Sequence, residues 1–421
     1  MTRKIDKILA IIIILIAGIG TSDAQNSTAS PYSMYGLGIL TPRCDATSSG
    51  MGHAGVALAP SKWVNTANPA AINNLDSITF YFNMQFKAFY TKLQNGLHSQ
   101  SSYSGNIDGL SMAFRAKRWW GVALGYNPYS AVGYNISDRQ YIIGSPTKYQ
   151  IVYTGSGGLQ QAFFTNAFTL FRHFSIGASV SAIWGSVTKK ETANFADAIG
   201  GENIYNEKKY TMNNLYFEYG FQYDFNIGKT NFRVGGVFNE RTNMRSSYDH
   251  IVSNDVSSQL FFDDVTPLKG EFSVPRSYAA GLSVTRPLLT ATVDCRYNEW
   301  SNVQNVKFGE SVKFTDNWTI GGGVEYRMNS PLDAPFYKRI NFRLGYYYGT
   351  DYLKIRGMNL DNYGVTAGMT VPMGRWSNAV VIAFEHQRRG KESGGLAKEK
   401  VNSVKVAINI RETWFQKAKF E

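Results

Sequence analysis

The chain is poor in charge, in cysteine and in histidine, and it has no apolar run long enough to cross a bilayer as a helix. Only 18% of its 421 residues are charged. The net charge is +12, but the lysines and arginines are scattered singly, without the basic patch that nucleic acid requires. Contact with lipid headgroups, or solvated loops, accounts for that balance better. Two cysteines, Cys44 and Cys295, are too few for a disulfide framework. Cys295 shares a face with Leu289, Ala291, Val293 and Tyr297 in LTATVDCRY, away from any interior segment that holds Cys44, so two free thiols are expected. The five histidines (His53, His98, His173, His250 and His386) lie far apart, and none has a ligand partner at helical spacing or a cysteine nearby, so no metal site is expected. Gly155-Ser156-Gly157 lacks the spacing of a nucleophile elbow. Gly50-x-Gly52-x-x-Gly55 has the dinucleotide fingerprint but no preceding buried strand, and Pro60 interrupts any following helix. Neither an enzyme nor a bound cofactor is expected.

The longest apolar run, residues 8–20, has 13 residues and follows Arg3, Lys4 and Lys7. It is too short for a spanning helix of about 20 residues and has the form of a secretory signal. Ser22-Asp23-Ala24 offers small residues for cleavage. Residues 1–24 are therefore expected to be a signal peptide, with a mature chain from Gln25 that lacks a cysteine for lipid attachment.

What the chain does have is aromatic residues and glycine: 26 Tyr, 26 Phe and 40 Gly. This favours strands and turns. Alternation of period two is strong and recurrent. Ile78, Phe80, Phe82, Met84 and Phe86 alternate with Thr79, Tyr81, Asn83 and Gln85. Leu215, Phe217, Tyr219, Phe221, Tyr223 and Phe225 alternate with Glu218, Gly220, Gln222 and Asp224. Several runs reach ten residues, the length of a tilted membrane strand and longer than the five or six usual in a soluble sandwich. Fourteen such strands are expected, from about residue 77 to residue 411. Short turns such as 117–118 and 172–173 alternate with longer connections such as 136–158, 189–208 and 246–272, as in barrels with short periplasmic turns and long outer loops. The expected fold is an all-β, 14-stranded antiparallel transmembrane β-barrel over residues 77–421, with an apolar exterior and a polar lumen. A lumen this wide cannot be filled by strand side chains alone. Residues 25–76, with the Gly- and Ala-rich stretch 50–73, are expected to form an N-terminal hatch inside it.

Three stretches carry a family resemblance. Gly50, Gly52 and Gly55 followed by Asn68-Pro69-Ala70 resemble a glycine-rich hatch. Residues 153–159 (YTGSGGL) with 175–178 are similar to wall strands, and the end, ETWFQK at 412–417, is similar to barrel termini. Together with the plan of the whole mature chain, they resemble the FadL-type long-chain fatty acid and hydrophobic compound transporters, in their Bacteroidota form. The resemblance implies a multi-pass barrel in the outer membrane of a Gram-negative cell, monomeric outside any complex, embedded in outer-membrane lipid and binding a hydrophobic small-molecule ligand. It implies passive movement of that ligand, with lateral release at an inward kink of the third strand. Here Pro128 and Gly133 fall in that strand, and Pro128 either kinks it or ends it. His53 stands where the pattern has a small residue.

The lumen face is polar and of mixed sign, with Lys87, Arg115, Glu218, Asp224, Arg233, Asp294, Arg296, Glu325, Arg327 and Arg343 among its residues. Pairs such as Glu325 with Arg327 and Asp294 with Arg296 are expected to be structural. An apolar ligand route needs an apolar lining, which then falls to the hatch: Met34, Tyr35, Leu37, Ile39, Leu40, Trp63, Val64 and Ile72. These residues either line a ligand site or simply pack the plug. Two functions follow from the sequence. One is transport of fatty acids or other hydrophobic compounds. The other is an accessory or scaffold barrel bound to an outer-membrane protein partner in a secretion or assembly complex. A general diffusion channel is disfavoured by the plug.

Overall fold

The computed structural model describes residues 28–413, apart from 97, 196–200, 258–260, 304–311, 329–333, 374–377 and 393–395. The signal segment and residues 414–417 of the terminal motif lie outside the described residues.

Eighteen strand segments form one hydrogen-bonded sheet. One is the two-residue segment Ile39–Leu40, and three wall strands consist of two segments each, which leaves fourteen wall strands. They are β1 (Thr79–Asn95), β2 (His98–Lys117), β3 (Trp120–Tyr141), β4 (Lys148–Leu170), β5 (Phe174–Asn194) and β6 (Ile204–Ile227). Then come β7 (Thr230–Asn239 and Thr242–Asn254), β8 (Phe261–Val274 and Ser277–Thr285), β9 (Leu289–Asn298) and β10 (Val312–Phe314 and Asn317–Arg327). The wall ends with β11 (Asn341–Ile355), β12 (Met358–Met373), β13 (Asn378–Arg389) and β14 (Lys398–Thr413). Neighbours are antiparallel throughout, and β14 pairs with β1 from Lys398↔Gln94 to Thr413↔Thr79, so the first and last strands close the barrel.

The exterior carries the apolar phase of each strand. On β6, Leu215, Phe217, Tyr219, Phe221 and Tyr223 are exposed while the alternating Tyr216 and Gln222 are buried. That inverts the pattern of a soluble protein and is the outer surface of a membrane barrel. Strands β2 to β6 run 20 to 24 residues, about twice what a tilted membrane strand needs. The stretches 136–158 and 189–208, expected as loops, are therefore mostly strand, and so is much of 246–272. Pairing continues through Ser137↔Val152 and Glu191↔Asn206. Above the membrane both faces of a strand can be polar, so period-two contrast fades while the ladder persists.

The segment from residue 28 to residue 76 lies inside the barrel. Its local structure is a set of tight caps: Pro31–Met34 is a 3-10 turn, and α1 (Ala46–Ser49) is a single helical turn. Asp45 caps α1 by accepting from the N–H groups of Thr47 at 3.0 Å and Ser48 at 3.1 Å. Asn68 caps the 3-10 helix Pro69–Asn74 by accepting from Ala70 N at 3.0 Å. The wall meets this segment with glycines. A Cβ on Gly345 would lie 2.2 Å from Gly52 N, on Gly177 2.4 Å from Pro69 C, and on Gly235 2.4 Å from Val56 O. Gly52 itself has φ +66°, and a Cβ there would meet Tyr346 O at 2.4 Å. Of the three glycines in the dinucleotide-like pattern, Gly50 and Gly52 thus let hatch and wall backbones touch, while Gly55 packs against Ala67 and Ser48 of the hatch itself.

A β-carbon at this contact forces hatch and wall apart, whereas one on Gly105 meets nothing closer than 3.4 Å. Gly345→Val is expected to cost at least the ~1–3 kcal/mol typical of overpacking and to expose the hatch to protease, while Gly105→Ala is expected to be near neutral. Heat-dependent electrophoretic mobility and limited proteolysis of the purified barrel check both.

Candidate functional site

Three features of the interior bear on function: the bolts that hold the hatch, the place where the wall opens, and the apolar outer half.

The bolts are ion pairs and hydrogen bonds of lumen-facing strand residues, some joining strand to strand and some, at Cys44, His53, Gly55 and Val56, reaching the hatch. Lys405 of β14 sits 2.6 Å from Asp108, which projects inward at a bulge in β2, and donates to Cys44 O at 3.3 Å. Glu385 of β13 accepts from Tyr347 at 2.7 Å and from Ser403 at 3.1 Å, with Lys87 Nζ at 3.5 Å. His53 stacks on Tyr347 at 4.8 Å, with its Nε2 3.5 Å from Glu385. Arg343 binds Glu325 at 2.6 Å and Arg327 binds the same carboxylate at 3.0 Å, so the expected Glu325 pair gains a third member. Asp294 was expected to pair with Arg296. Instead its carboxylate accepts from the backbone N–H groups of Gly55 at 2.6 Å and Val56 at 2.8 Å. The sequence exposes the charges but not the backbone donors that the hatch brings to them.

The wall opens between β2 and β3. Their pairing runs only from Lys117↔Trp120 to Leu110↔Tyr126. Beyond Tyr126, β3 remains paired to β4 through a bulge between Pro128 and Ser130. Ser130 through Tyr134 are buried on five consecutive positions, so both faces of β3 are covered and the strand turns into the barrel. Proline suits this place because it lacks a ladder donor. The edge of β3 abandoned by β2 still needs hydrogen-bond partners, and the hatch supplies them. Ser30 N donates to Gly133 O at 2.9 Å, Gly133 N donates to Ser33 Oγ at 3.0 Å, and Thr41 N donates to Tyr129 O at 3.0 Å. Ile39 and Leu40 pair with Ala131 and Ser130. Beside this seam Arg43 packs its guanidinium 4.2 Å from the Phe163 ring and binds Glu218 at 2.9 Å. Residues 41–44 leave a cleft of only about 20 Å³ at the opening.

The outer half of the interior is apolar. Leu37 is packed with Val132, Tyr134, Val187, Tyr210, Met212, Trp300 and Tyr352, with Met34, Tyr35, Ile39 and Leu40 against the same cluster. A groove of about 550 Å³ reaches it from the outer end, past Tyr32, Met34, Tyr35, Leu93, Ile136 and Leu396. The eight hatch residues proposed as a lining are therefore divided. Five belong to this cluster. Val64 and Ile72 pack in a separate one with Leu75, Tyr81 and Ala113. Trp63 faces a third space, a vestibule of about 610 Å³ at the short-turn end. The expectation that the hatch alone must provide an apolar lining is corrected, because the strands provide most of it. Tyr210 and Met212 fall on the inward phase of the expected strand, but period two does not say what they meet there, and Trp300 stands in a short 3-10 turn with no periodic signal. Both cysteines are free, Cys44 buried and Cys295 exposed. Among the described residues no group of three or more metal-ligating side chains is present.

Two predictions follow from the bolts. Lys405→Met strands Asp108 in a buried site, and losing one partner of a buried pair is expected to cost about 3–5 kcal/mol. A fall in the thermal unfolding midpoint, compared with Lys405→Met combined with Asp108→Leu, checks this. Burial pushes His53 from 6.5 down to about 4, with Lys405, Lys87 and Arg296 acting in the same direction and Glu385 against it. Between those values the unfolded chain takes a proton at His53 that the folded chain does not, so stability falls as pH is lowered through that window. His53→Gln is expected to flatten the pH–melting curve there.

A family model described as BamG matches residues 1–421. No curated protein matches the sequence. Among solved structures, the Ralstonia pickettii toluene transporter TbuX is 16% identical with a TM-score of 0.58, over 89% of this chain and 99% of that one. The monoaromatic hydrocarbon channel CymD is 15% identical with a TM-score of 0.54, over 91% and 100%. The P. putida toluene transporter TodX is 14% identical with a TM-score of 0.57, over 92% and 100%. At these identities the likeness is one of fold.

Proposed function

The chain belongs to the BamG family, and from that premise we propose that it is an outer-membrane barrel that moves hydrophobic compounds by passive diffusion. The observation that carries this reading is the unpaired β2–β3 seam beside an apolar outer interior. A ligand that enters the outer groove meets Tyr35, Met34 and Ile136, then the aromatic and aliphatic cluster, where burying it removes apolar surface from water. From there the short way out is sideways. The seam is held by the hatch strand, which Arg43 anchors to Phe163 of β4 and Glu218 of β6, so lateral release requires residues 39–41 to let go of β3. Solved barrels of the same fold are described as toluene transporters and a monoaromatic hydrocarbon channel, which agrees with a small apolar ligand. The apolar lining of the outer groove suits the alkyl chain of a long-chain fatty acid as well. The signal segment and the exposed apolar belt support placement in the outer membrane.

A second reading is favoured by a specific observation. The buried ion pairs Lys405–Asp108, midway along the lumen, and Arg343–Glu325, near its short-turn end, bind the wall strands tightly, and the tall wall of β2 to β6 stands above the membrane. Both suit an accessory barrel that presents a surface to an outer-membrane protein partner in an assembly or secretion complex.

Deleting the gene is expected to slow uptake of radiolabelled toluene or oleate several-fold. Complementation with Arg43→Leu, which releases the hatch segment beside the seam from Glu218 and Phe163, is expected to change the uptake rate while leaving the barrel folded. Uptake equal to wild type in the deletion strain, with a stoichiometric protein partner retained on purification in mild detergent, would select the second reading.

A further inference from the structure

The vestibule at the short-turn end has a composition that neither transport of apolar compounds nor packing of the hatch requires. Among the described residues it is lined by Lys62, Arg233, Arg327, Arg339 and Arg343, with Glu325 as the one carboxylate. Arg343 is buried, and its Nη1 makes no hydrogen bond among the described residues. Arg233 donates to Ala59 O at 3.2 Å and lies 3.8 Å from Asp224. The floor is hatch, with Met51, Leu58, Pro60 and Trp63. The volume, about 610 Å³, lies within the range of real binding cavities.

The positive field continues onto the rim. Lys117, Arg118, Arg172, Lys229, Arg286 and Lys338 are exposed on or beside the short turns. Against them, among the described residues, stand Asp76 and Asp224, each already ion-paired, to Arg411 and Arg233, and Glu412. Headgroups of the adjacent leaflet account for rim cations that point sideways, but not for guanidinium groups that face the lumen. A concave, partly desolvated space with an excess of cations focuses the field and attracts an anion. Because the rim cations Lys229, Arg286 and Lys338 flank the lining residues Asn231, Pro287 and Arg339, cavity and rim together fit an extended anionic chain better than a single small ion.

We infer that the short-turn end, which is periplasmic in a barrel of this type, is a docking surface for an acidic peptide segment of a periplasmic partner protein, whose carboxylates enter the vestibule and bind its guanidinium groups. Arginine forks suit carboxylates through paired hydrogen bonds. The rim cations accelerate the encounter, while the vestibule arginines hold the complex.

The probe is a fluorescein-labelled hexaglutamate peptide, titrated by anisotropy against the full-length mature protein in a neutral maltoside detergent. Binding is expected at low salt and is expected to weaken steeply as screening shortens the range of the field to below about 10 Å. Lys62→Gln with Arg339→Gln is expected to weaken it by about tenfold or more, whereas the rim variant Lys229→Gln with Arg286→Gln is expected mainly to slow association. An unchanged melting temperature confirms that each variant is folded. If Arg343→Gln proves unstable, the Lys62 and Arg339 variant still decides. The inference is overturned if hexaglutamate binds no better than hexaglutamine. It is also overturned if vestibule and rim variants lose affinity equally, or if vesicles of phosphatidylglycerol displace the peptide completely, which would make the surface a lipid contact. Loss of transport activity has no bearing on any of these outcomes.

Discussion

The structure depends on backbone-to-backbone contact between the hatch and the barrel wall. Fourteen strands enclose more space than their own side chains can fill. The hatch fills it only because the wall presents glycine where the hatch presents its main chain, at Gly177, Gly235 and Gly345. Contact at that distance leaves no room for a β-carbon. It also brings hatch N–H groups within reach of lumen carboxylates, as at Asp294. The polar lumen and the glycine footprint are thus two sides of one arrangement, since charges inside a barrel are tolerable when the plug supplies their partners.

The same accounting explains the seam. A strand edge buried without partners is costly. Where β3 bends away from β2 at Pro128, the hatch takes over its hydrogen bonds through Ser30, Ser33, Ile39, Leu40 and Thr41. The hatch is therefore both filler and substitute strand, and any motion that opens the seam must give up those bonds. Plugging and gating are coupled by the chemistry of one short segment, with Arg43 as its charged anchor.

The interior is divided along its axis. The outer half is apolar and aromatic, the middle is bolted by ion pairs, and the short-turn end is cationic. An apolar molecule is at home in the first region and not in the other two. Sideways release and a separate role for the cationic vestibule follow from that division, and they do not compete for the same residues.

Alternation of period two in runs such as 215–225 was enough to establish strand number, exterior face and the need for a plug, because a membrane strand writes its two environments directly into neighbouring residues. The hatch was legible too, in the Gly-rich stretch and Asn68-Pro69-Ala70. The outer cluster was not. Tyr210, Met212 and Trp300 become neighbours of Leu37 only when long strands and a short 3-10 turn bring together residues far apart in the chain. Asp294 reads as half of an ion pair until the hatch backbone arrives beside it. Local periodicity reports the environment of each residue, one side or the other of a sheet. Which residues share that environment is decided by barrel closure and by the path of the hatch, and those are properties of the tertiary structure.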